Sequence, residues 1–142
     1  MSKEDLRSSA AYIRQVYLKK PTGSNVAIAK VYLADSTAFC VGATSKGGHK
    51  SPIPKPKAKS EGGYFEPVID SRTGRLMDTD AEYKVLSEIA KTLEMSYGCA
   101  VEGSLYLYSE LQPCESCNGI LEQFQEKFPN VNISIFWDLP YP

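Results

Sequence analysis

Residues 103–137, which read GSLYLYSELQPCESCNGILEQFQEKFPNVNISIFW, contain the pattern of a strand, a helix and a second strand. Apolar and polar residues alternate over Gly103–Leu111, as expected for a β-strand. Pro113 suits the first turn of a helix, so a helix is expected over Cys114–Phe128 before a strand over Val131–Trp137. Such a unit favours parallel pairing through a right-handed crossover. This stretch therefore predicts an α/β fold, in which helices pack on the faces of a mixed sheet.

The N-terminal part of the chain predicts one helix and a hairpin. Apolar residues recur at helical spacing within residues 1–20, and a turn-forming Pro-Thr-Gly follows. Two β-rich runs then follow, Asn25–Leu33 and Ala38–Ser45, joined by a short turn. Both faces of the first run hold apolar residues. We therefore expect other elements to cover this hairpin on both sides.

A long segment rich in Gly, Pro and Lys, residues 46–79, separates the hairpin from the next helix. Loops of this length in a compact domain are usually functional or disordered. Its first part, residues 46–59, carries five lysines and no acidic residue, which suits either a phosphate-binding segment or a solvated loop. The following helix is predicted over Asp80–Met95, with Asp78 or Thr79 as its N-cap.

Composition limits the class of protein. With 142 residues, 42% of them hydrophobic, the chain is expected to form one domain with one core. The formal net charge of −1 indicates no overall affinity for nucleic acid. We find no stretch with the length and apolar content of a signal peptide or a membrane span, so no membrane association is expected. Cys40 and Cys99 lie in apolar surroundings and are expected to be buried thiols.

Two short motifs carry the candidate chemistry. Cys114 and Cys117 stand three apart at a predicted helix start, where both thiolates can reach one metal ion. Asp80 and Glu82 stand at the start of the preceding helix, and both helix N-termini favour negative charge. If the two helix starts converge, Asp80, Cys114 and Cys117 would hold Zn²⁺ and leave a fourth position for water. Glu82 would then lie outside the ligand set as a general acid/base, as in zinc nucleobase deaminases.

Other interpretations of these motifs stay open. A Cys-x-x-Cys pair can form a redox site. Here, however, the pair follows Pro113 and does not have the aromatic-Cys-Gly-Pro sequence that redox pairs prefer. Zinc could also be purely structural. Asp80 stands where deaminases usually have His; its carboxylate can bind zinc, but it makes the ligand set one charge more negative. His49, the only histidine, is either an alternative ligand from the loop or a solvated side chain.

The segment Ser109–Cys117, SELQPCESC, resembles the S-E-x-x-P-C-x-x-C form of bacterial polymorphic-toxin deaminases in the cytidine-deaminase-like superfamily. Asp80-Ala81-Glu82 resembles their zinc-binding and proton-shuttling helix start, with Asp in place of His. The order of elements is similar over about residues 25–137. The resemblance implies a cytidine-deaminase-like three-layer fold with a mixed four- to five-stranded sheet, here a single deaminase domain over residues 1–142.

The same resemblance implies a function. The chain would be a Zn²⁺-dependent hydrolytic deaminase that converts cytosine to uracil in nucleic acid, with DNA favoured over RNA. It would be the toxic C-terminal domain of a secreted bacterial toxin that acts in the cytoplasm of a target cell, and a cognate immunity protein would inhibit it. Two alternatives stay open: a deaminase of free nucleosides or nucleotides, and a non-catalytic binding module that zinc staples together.

Five further residues are candidates for substrate binding. A base must leave its stack to enter such a site, and aromatic side chains commonly stack on it. The candidates near loops and strand ends are Tyr64, Phe65, Tyr108 and Trp137, each of which could instead pack in the core or at an edge. The resemblance also implies a polar contact between Asn25, at the start of the first strand, and the sugar.

Overall fold

A mixed sheet of four strands organises the part of the chain that the structure describes. This computed structural model describes residues 3–20, 23–46, 48–53, 62–65, 80–112 and 115–139. The strands are β1 (Val26–Leu33), β2 (Ala38–Thr44), β3 (Gly103–Leu111) and β4 (Val131–Leu139). Their order across the sheet is β2-β1-β3-β4. β1 pairs antiparallel with β2 and with β3, whereas β3 and β4 are parallel, as the strand–helix–strand pattern predicted.

Helices cover both faces of this sheet, which confirms the predicted fold class. The α-helices of the described residues are α1 (Lys3–Ile13), α2 (Ala81–Ser96) and α3 (Glu115–Lys127). Helix α1 continues as a π-helical turn over Arg14–Leu18. Within the long segment predicted as a loop, Gly48–Lys50 forms a short 3₁₀ turn. Residues 54–61 and 66–79 of that segment lie outside the described residues.

The alternation of side chains along the central strands divides the core in two. On one face, Ala27, Ala29, Leu105 and Leu107 are fully buried against α2 and α3. On the other face, α1 buries the apolar residues Val26, Ile28 and Tyr108. Since successive residues of a strand point to opposite faces, β1 contributes to both clusters. The hairpin is therefore covered on both sides, as expected.

Two local predictions were wrong. The N-cap of α2 is Asp80, later than the predicted Asp78 or Thr79. Cys40 and Cys99 are exposed rather than buried. Cys40 lies on the edge strand β2, beside Lys30, and Cys99 lies in the turn that follows α2, so neither reaches a covered face. None of the described helices has the length and apolar character needed to cross a membrane.

Candidate active site

The carboxylate of Glu82 lies where the start of α2 meets the end of β3. Glu82 is only 2% exposed. Ser109 donates a hydrogen bond from Oγ to Glu82 Oε1 at 2.6 Å, and the Asn25 side-chain amide donates to the same oxygen at 3.1 Å. The Asn25 amide also donates to Ser109 Oγ at 2.8 Å. We call these three residues, Asn25, Glu82 and Ser109, the Glu82 cluster.

The strand register explains why the Glu82 cluster forms. Ser109 follows Leu105 and Leu107 on the face of β3 that α2 covers, so it ends an apolar row with one polar group. The antiparallel register pairs Ala27 with Ser109, which brings the start of β1 alongside. Because burying an ionised carboxylate without hydrogen bonds is costly, Ser109 and Asn25 stabilise Glu82 in this position.

Asn25 is itself held from two sides, by the side chain of Ser45 and by the backbone of Leu111. Its backbone N–H donates to Ser45 Oγ at 2.8 Å. Its side-chain oxygen accepts from the backbone N–H of Leu111 at 3.2 Å. The structure thus brings Asn25, predicted as a substrate-binding residue, into contact with the predicted catalytic residue. Sequence reasoning missed Ser109 as a site residue, although a serine at the end of an apolar row was the available signal.

The predicted metal ligands lie at the two helix starts. Asp80, half-buried, immediately precedes α2. Cys114 lies outside the described residues, and so does the side chain of Cys117, whose backbone is in the first turn of α3. Within the described residues, no three His, Cys, Asp or Glu side chains form a group that could hold a metal ion. His49 is exposed in the 3₁₀ turn.

Asp80 and the two cysteines nevertheless are residue types that fit zinc. One carboxylate and two thiolates form a donor set that zinc accepts. Helix α3 begins at Glu115, four residues after β3 ends at Leu111, and Ser109 of β3 touches Glu82 of α2. A short connection therefore holds the start of α3 near the start of α2, as the motif spacing requires.

Two of the aromatic candidates contact residues in the second half of α3. Phe65 is 1% exposed, and its ring centroid is 6.0 Å from that of Phe124 in the core. The ring of Tyr64 lies 5.5 Å from Lys127 Nζ. Lys127 ends α3, about 18 Å along the helix axis from its first residue. The ring of Tyr64 therefore lies at the far end of α3 from its start, whereas the carbonyl oxygen of Phe65 accepts a hydrogen bond at 3.0 Å from the hydroxyl of Tyr83, the residue after Glu82.

The other two aromatic candidates lie on opposite faces of the sheet. Tyr108 is 2% exposed on the α1 face, and its hydroxyl donates to Asp138 at 2.5 Å. Trp137 is the parallel register partner of Ser109 and therefore shares the α2 face with it. Trp137 is 40% exposed. Of the four aromatic side chains, Trp137 is the one that adjoins the Glu82 cluster.

Two arginines of the N-terminal helix hold the strand ends from the α1 face. Arg14 binds both carboxylate oxygens of Glu110, at 2.9 and 2.5 Å, and Arg7 binds those of Asp138, at 2.7 and 2.8 Å. The Arg7 guanidinium, the Tyr108 hydroxyl and the Lys3 ammonium hold the pKa of Asp138 well below its usual range. We call these two pairs, Arg14–Glu110 and Arg7–Asp138, the arginine clamps.

A buried lysine connects α2 to the end of β2. Lys84, two residues after Glu82, is 0% exposed. Its ammonium donates to the carbonyl oxygen of Thr44 at 2.7 Å and to that of Lys46. Burial lowers the pKa of Lys84 to about 8, against the opposing effect of the Asp80 carboxylate. Sequence reasoning did not single out Lys84, because a lysine in a helix is usually exposed.

A comparison with known families assigns the chain. The model of the toxin-deaminase family, described as the BURPS668_1122 family of deaminases, matches residues 11–138. No curated protein matches the chain. The matched residues include β1, β2 and β3, β4 up to Asp138, the Glu82 cluster, and the starts of α2 and α3 with their motifs. The chain therefore belongs to the BURPS668_1122 family of toxin deaminases and is a deaminase domain of the toxin type.

Proposed function

We propose that this deaminase is Zn²⁺-dependent and hydrolyses cytosine to uracil in nucleic acid, with DNA as the favoured polymer. The observation that carries the proposal is the buried Glu82 carboxylate, which hydroxyl and amide donors orient at the start of α2. It stands two residues after Asp80, in the spacing that separates metal ligand from proton shuttle in zinc deaminases.

Each residue of the motifs has a role in this proposal. Asp80, Cys114 and Cys117 would hold the zinc ion, which supplies the acidity that makes water nucleophilic at neutral pH. Glu82 would take a proton from the attacking water and deliver it to the ring nitrogen. It would then take the remaining proton from the hydroxyl added to the ring carbon and deliver it to the amino group, which leaves as ammonia. Water replaces the amino group, so cytosine becomes uracil and no oxidant or reductant is needed.

The surrounding residues position the carboxylate and the base. Ser109 and Asn25 hydrogen-bond to one oxygen of Glu82 and thereby orient the whole carboxylate group. Asn25 is also our candidate for the sugar contact, because it immediately precedes β1 and its amide lies beside that oxygen. Trp137, half-exposed on the same face, is our candidate for stacking on the base. The positions of Tyr64, Phe65 and Tyr108 support packing roles instead.

The family also supports a biological setting for this activity. We infer that the chain is the toxic C-terminal domain of a secreted bacterial effector and acts in the cytoplasm of a target cell. A cognate immunity protein would then protect the producing cell by binding this domain. Expression in a bacterial host offers a direct check: the wild-type chain should be toxic, and Glu82→Gln should remove the toxicity.

The decisive experiment is mass-spectrometric detection of deaminated bases. The zinc-loaded chain is incubated with single- and double-stranded DNA, with RNA, and with free cytidine and adenosine. Glu82→Gln is run alongside, and Glu88→Gln, in the same helix but half-buried away from the cluster, is the matched control. We expect uracil in DNA from the wild type and Glu88→Gln, and none from Glu82→Gln, with zinc content equal in all three.

Other outcomes would replace the proposal. Product from free cytidine alone would favour a nucleoside deaminase. Inosine or hypoxanthine would show that adenine is the substrate. Absence of product from every substrate, with one zinc bound per chain, would favour a structural zinc site.

A further inference from the structure

A cleft of about 250 Å³ opens beside the Glu82 cluster, between the end of the π-helical turn and the 3₁₀ turn. Its lining residues are Leu18, Lys20, Gly23, Ser24, Lys46 and Lys50. We propose that this lysine cleft binds the sugar-phosphate backbone of the nucleic-acid substrate and thereby places one nucleotide at Glu82. The inference rests on the proposed function and adds the surface by which the polymer is recognised.

The charge of the lysine cleft differs from that of the whole chain. The chain has a formal net charge of −1, yet three of the six lining residues are exposed lysines. No acidic side chain is among the described residues that line the cleft. The nearby carboxylate of Glu110 is bound by Arg14. The local field therefore favours an anion, and closely spaced phosphates match three ammonium groups around one cleft.

Both walls of the cleft lie next to Asn25 of the Glu82 cluster. Ser24, on one wall, immediately precedes Asn25, whose amide is 3.1 Å from Glu82 Oε1. Lys46, on the other wall, immediately follows Ser45, whose Oγ accepts the backbone N–H of Asn25 at 2.8 Å. A backbone phosphate in the cleft would thus lie within a nucleotide's reach of the catalytic carboxylate.

The main chain at each of the three lysines is held by a side chain of the folded core. Arg14 donates to the carbonyl oxygen of Lys20 at 3.2 Å, and also to those of Gly23 and Ser24. Lys84 donates to the carbonyl oxygen of Lys46, and Thr44 Oγ1 donates to that of Lys50. The ammonium groups therefore project from fixed backbone positions, which lowers the ordering cost of binding.

These anchors also connect the cleft to the catalytic helix. Lys84 belongs to the second turn of α2, two residues after Glu82. Arg14 binds Glu110, the neighbour of Ser109 in β3. Of the residues that fix the cleft walls, Lys84 is thus two positions from Glu82, and Arg14 binds the residue that follows Ser109. A solvated lysine loop would not need such anchoring.

The test measures binding separately from turnover. Binding of a fluorescein-labelled, cytosine-containing single-stranded oligonucleotide is measured by anisotropy at several KCl concentrations, in the inactive Glu82→Gln background. One variant replaces the cleft lysines, Lys20→Gln, Lys46→Gln and Lys50→Gln. The matched control makes the same charge change elsewhere: Lys30→Gln, Lys91→Gln and Lys127→Gln. A third variant keeps the charge with Arg at the three cleft positions.

We expect the cleft variant to bind about tenfold or more weakly at ~0.1 M salt, and its plot of log K against log[salt] to be flatter by about 2. The control and the Arg variant should retain most of the affinity and slope. In the active background, KM for the oligonucleotide should rise by the same factor. Equal weakening in the cleft and control variants would overturn the inference, because only overall charge would matter.

The outcomes distinguish this inference from the proposed function. Uracil in DNA from the wild type, with unchanged binding and KM in the cleft variant, would reject the lysine cleft and leave the enzyme assignment intact. Product from free cytidine alone, with no polymer binding by any variant, would reject both. Thermal unfolding of each variant confirms that any lost binding does not reflect lost folding.

Discussion

Carboxylates near the ends of β3 and β4 have different hydrogen-bond donors on the two faces of the sheet. On the α1 face, Glu110 and Asp138 are each bound by an arginine through two hydrogen bonds. On the α2 face, Glu82 accepts hydrogen bonds from the hydroxyl of Ser109 and the amide of Asn25. A guanidinium stabilises a carboxylate as an anion through two charged hydrogen bonds, whereas a hydroxyl and an amide are neutral donors that orient it.

We expect from this contrast that the α1 face has a structural role and that the α2 face carries the proposed chemistry. Because successive residues of a strand point to opposite faces, Glu110 and Ser109 are chain neighbours on opposite faces of β3. Asp138 and Trp137 have the same relation in β4. The arginine clamps therefore fix the backbone positions from which the site residues project. Four predictions test the division, in order of decreasing effect.

The largest effect is expected when the same isosteric change is made on the two faces. Glu82→Gln should reduce turnover on the order of 10²–10⁴-fold, because the proton shuttle is lost, while the fold is retained. Glu110→Gln should leave the shuttle in place and act mainly on stability. Both variants are measured for kcat on a cytosine-containing oligonucleotide and for the midpoint of urea unfolding. Similar losses of turnover in both would show that the two faces do not differ in function.

Removal of one arginine from a clamp should be the next largest effect. The side chains of Arg14 and Glu110 are 13% and 21% exposed, so Arg14→Ala leaves a mostly covered carboxylate without its partner. We expect the free energy of unfolding to fall by about 2–3 kcal/mol. Arg14→Lys keeps the charge but loses the two-pronged geometry, and should recover only part of this. Urea denaturation measures both; a loss below ~0.5 kcal/mol would class the pair with ordinary surface ion pairs.

A smaller effect is expected from removing the neutral donor on the α2 face. Ser109→Ala removes the 2.6 Å hydrogen bond to the buried Glu82 and should cost about 1–2 kcal/mol of stability. Turnover should also fall, since the carboxylate loses orientation. Ser104→Ala, in the same strand but on the opposite face, is the control. If Ser109→Ala and Ser104→Ala match in unfolding and in kcat, Ser109 has no role in positioning Glu82.

The smallest effect is a pH dependence at the second clamp. The partners of Asp138 hold its pKa below the unfolded-state value of about 3.9, so its ionised form stabilises the folded state. The stability difference between wild type and Asp138→Asn should be fully present above that pH and shrink as the pH falls below it. Thermal unfolding at pH 3 to 7 measures this difference. A stability difference that is constant over this pH range would mean that the Asp138 charge contributes nothing. High salt should reduce the stabilisation that the charge provides.

The sequence predicted the elements better than the contacts between them. The strands, α2, α3 and the position of Glu82 follow from periodicity and from local motifs, which depend on neighbours in the chain. Asn25 was predicted through a family resemblance, and its contact with Glu82 spans 57 residues. The arginine clamps join residues 96 and 131 positions apart, and no local pattern pairs one charged residue with another at such a distance.

What the sequence did not show has physical causes as well. Phe65 lies in a Gly-rich segment, yet its side chain is buried beside Phe124; a contact of Tyr64 or Phe65 with a base stays a prediction. Cys40 has apolar neighbours in the sequence, yet an edge strand leaves it exposed. Burial of Lys84 depends on the carbonyl groups of Thr44 and Lys46, which only the folded chain places above α2. In each case tertiary packing decided what composition could not.

Trp137 gives the site an intrinsic optical reporter. It is the only tryptophan in the chain, and it lies at the register position of Ser109. Excitation selective for indole therefore monitors this edge of the sheet alone, against nine tyrosines that absorb at shorter wavelength. An emission change on adding oligonucleotide would follow occupancy of the site in real time, without any label, even in the inactive Glu82→Gln protein.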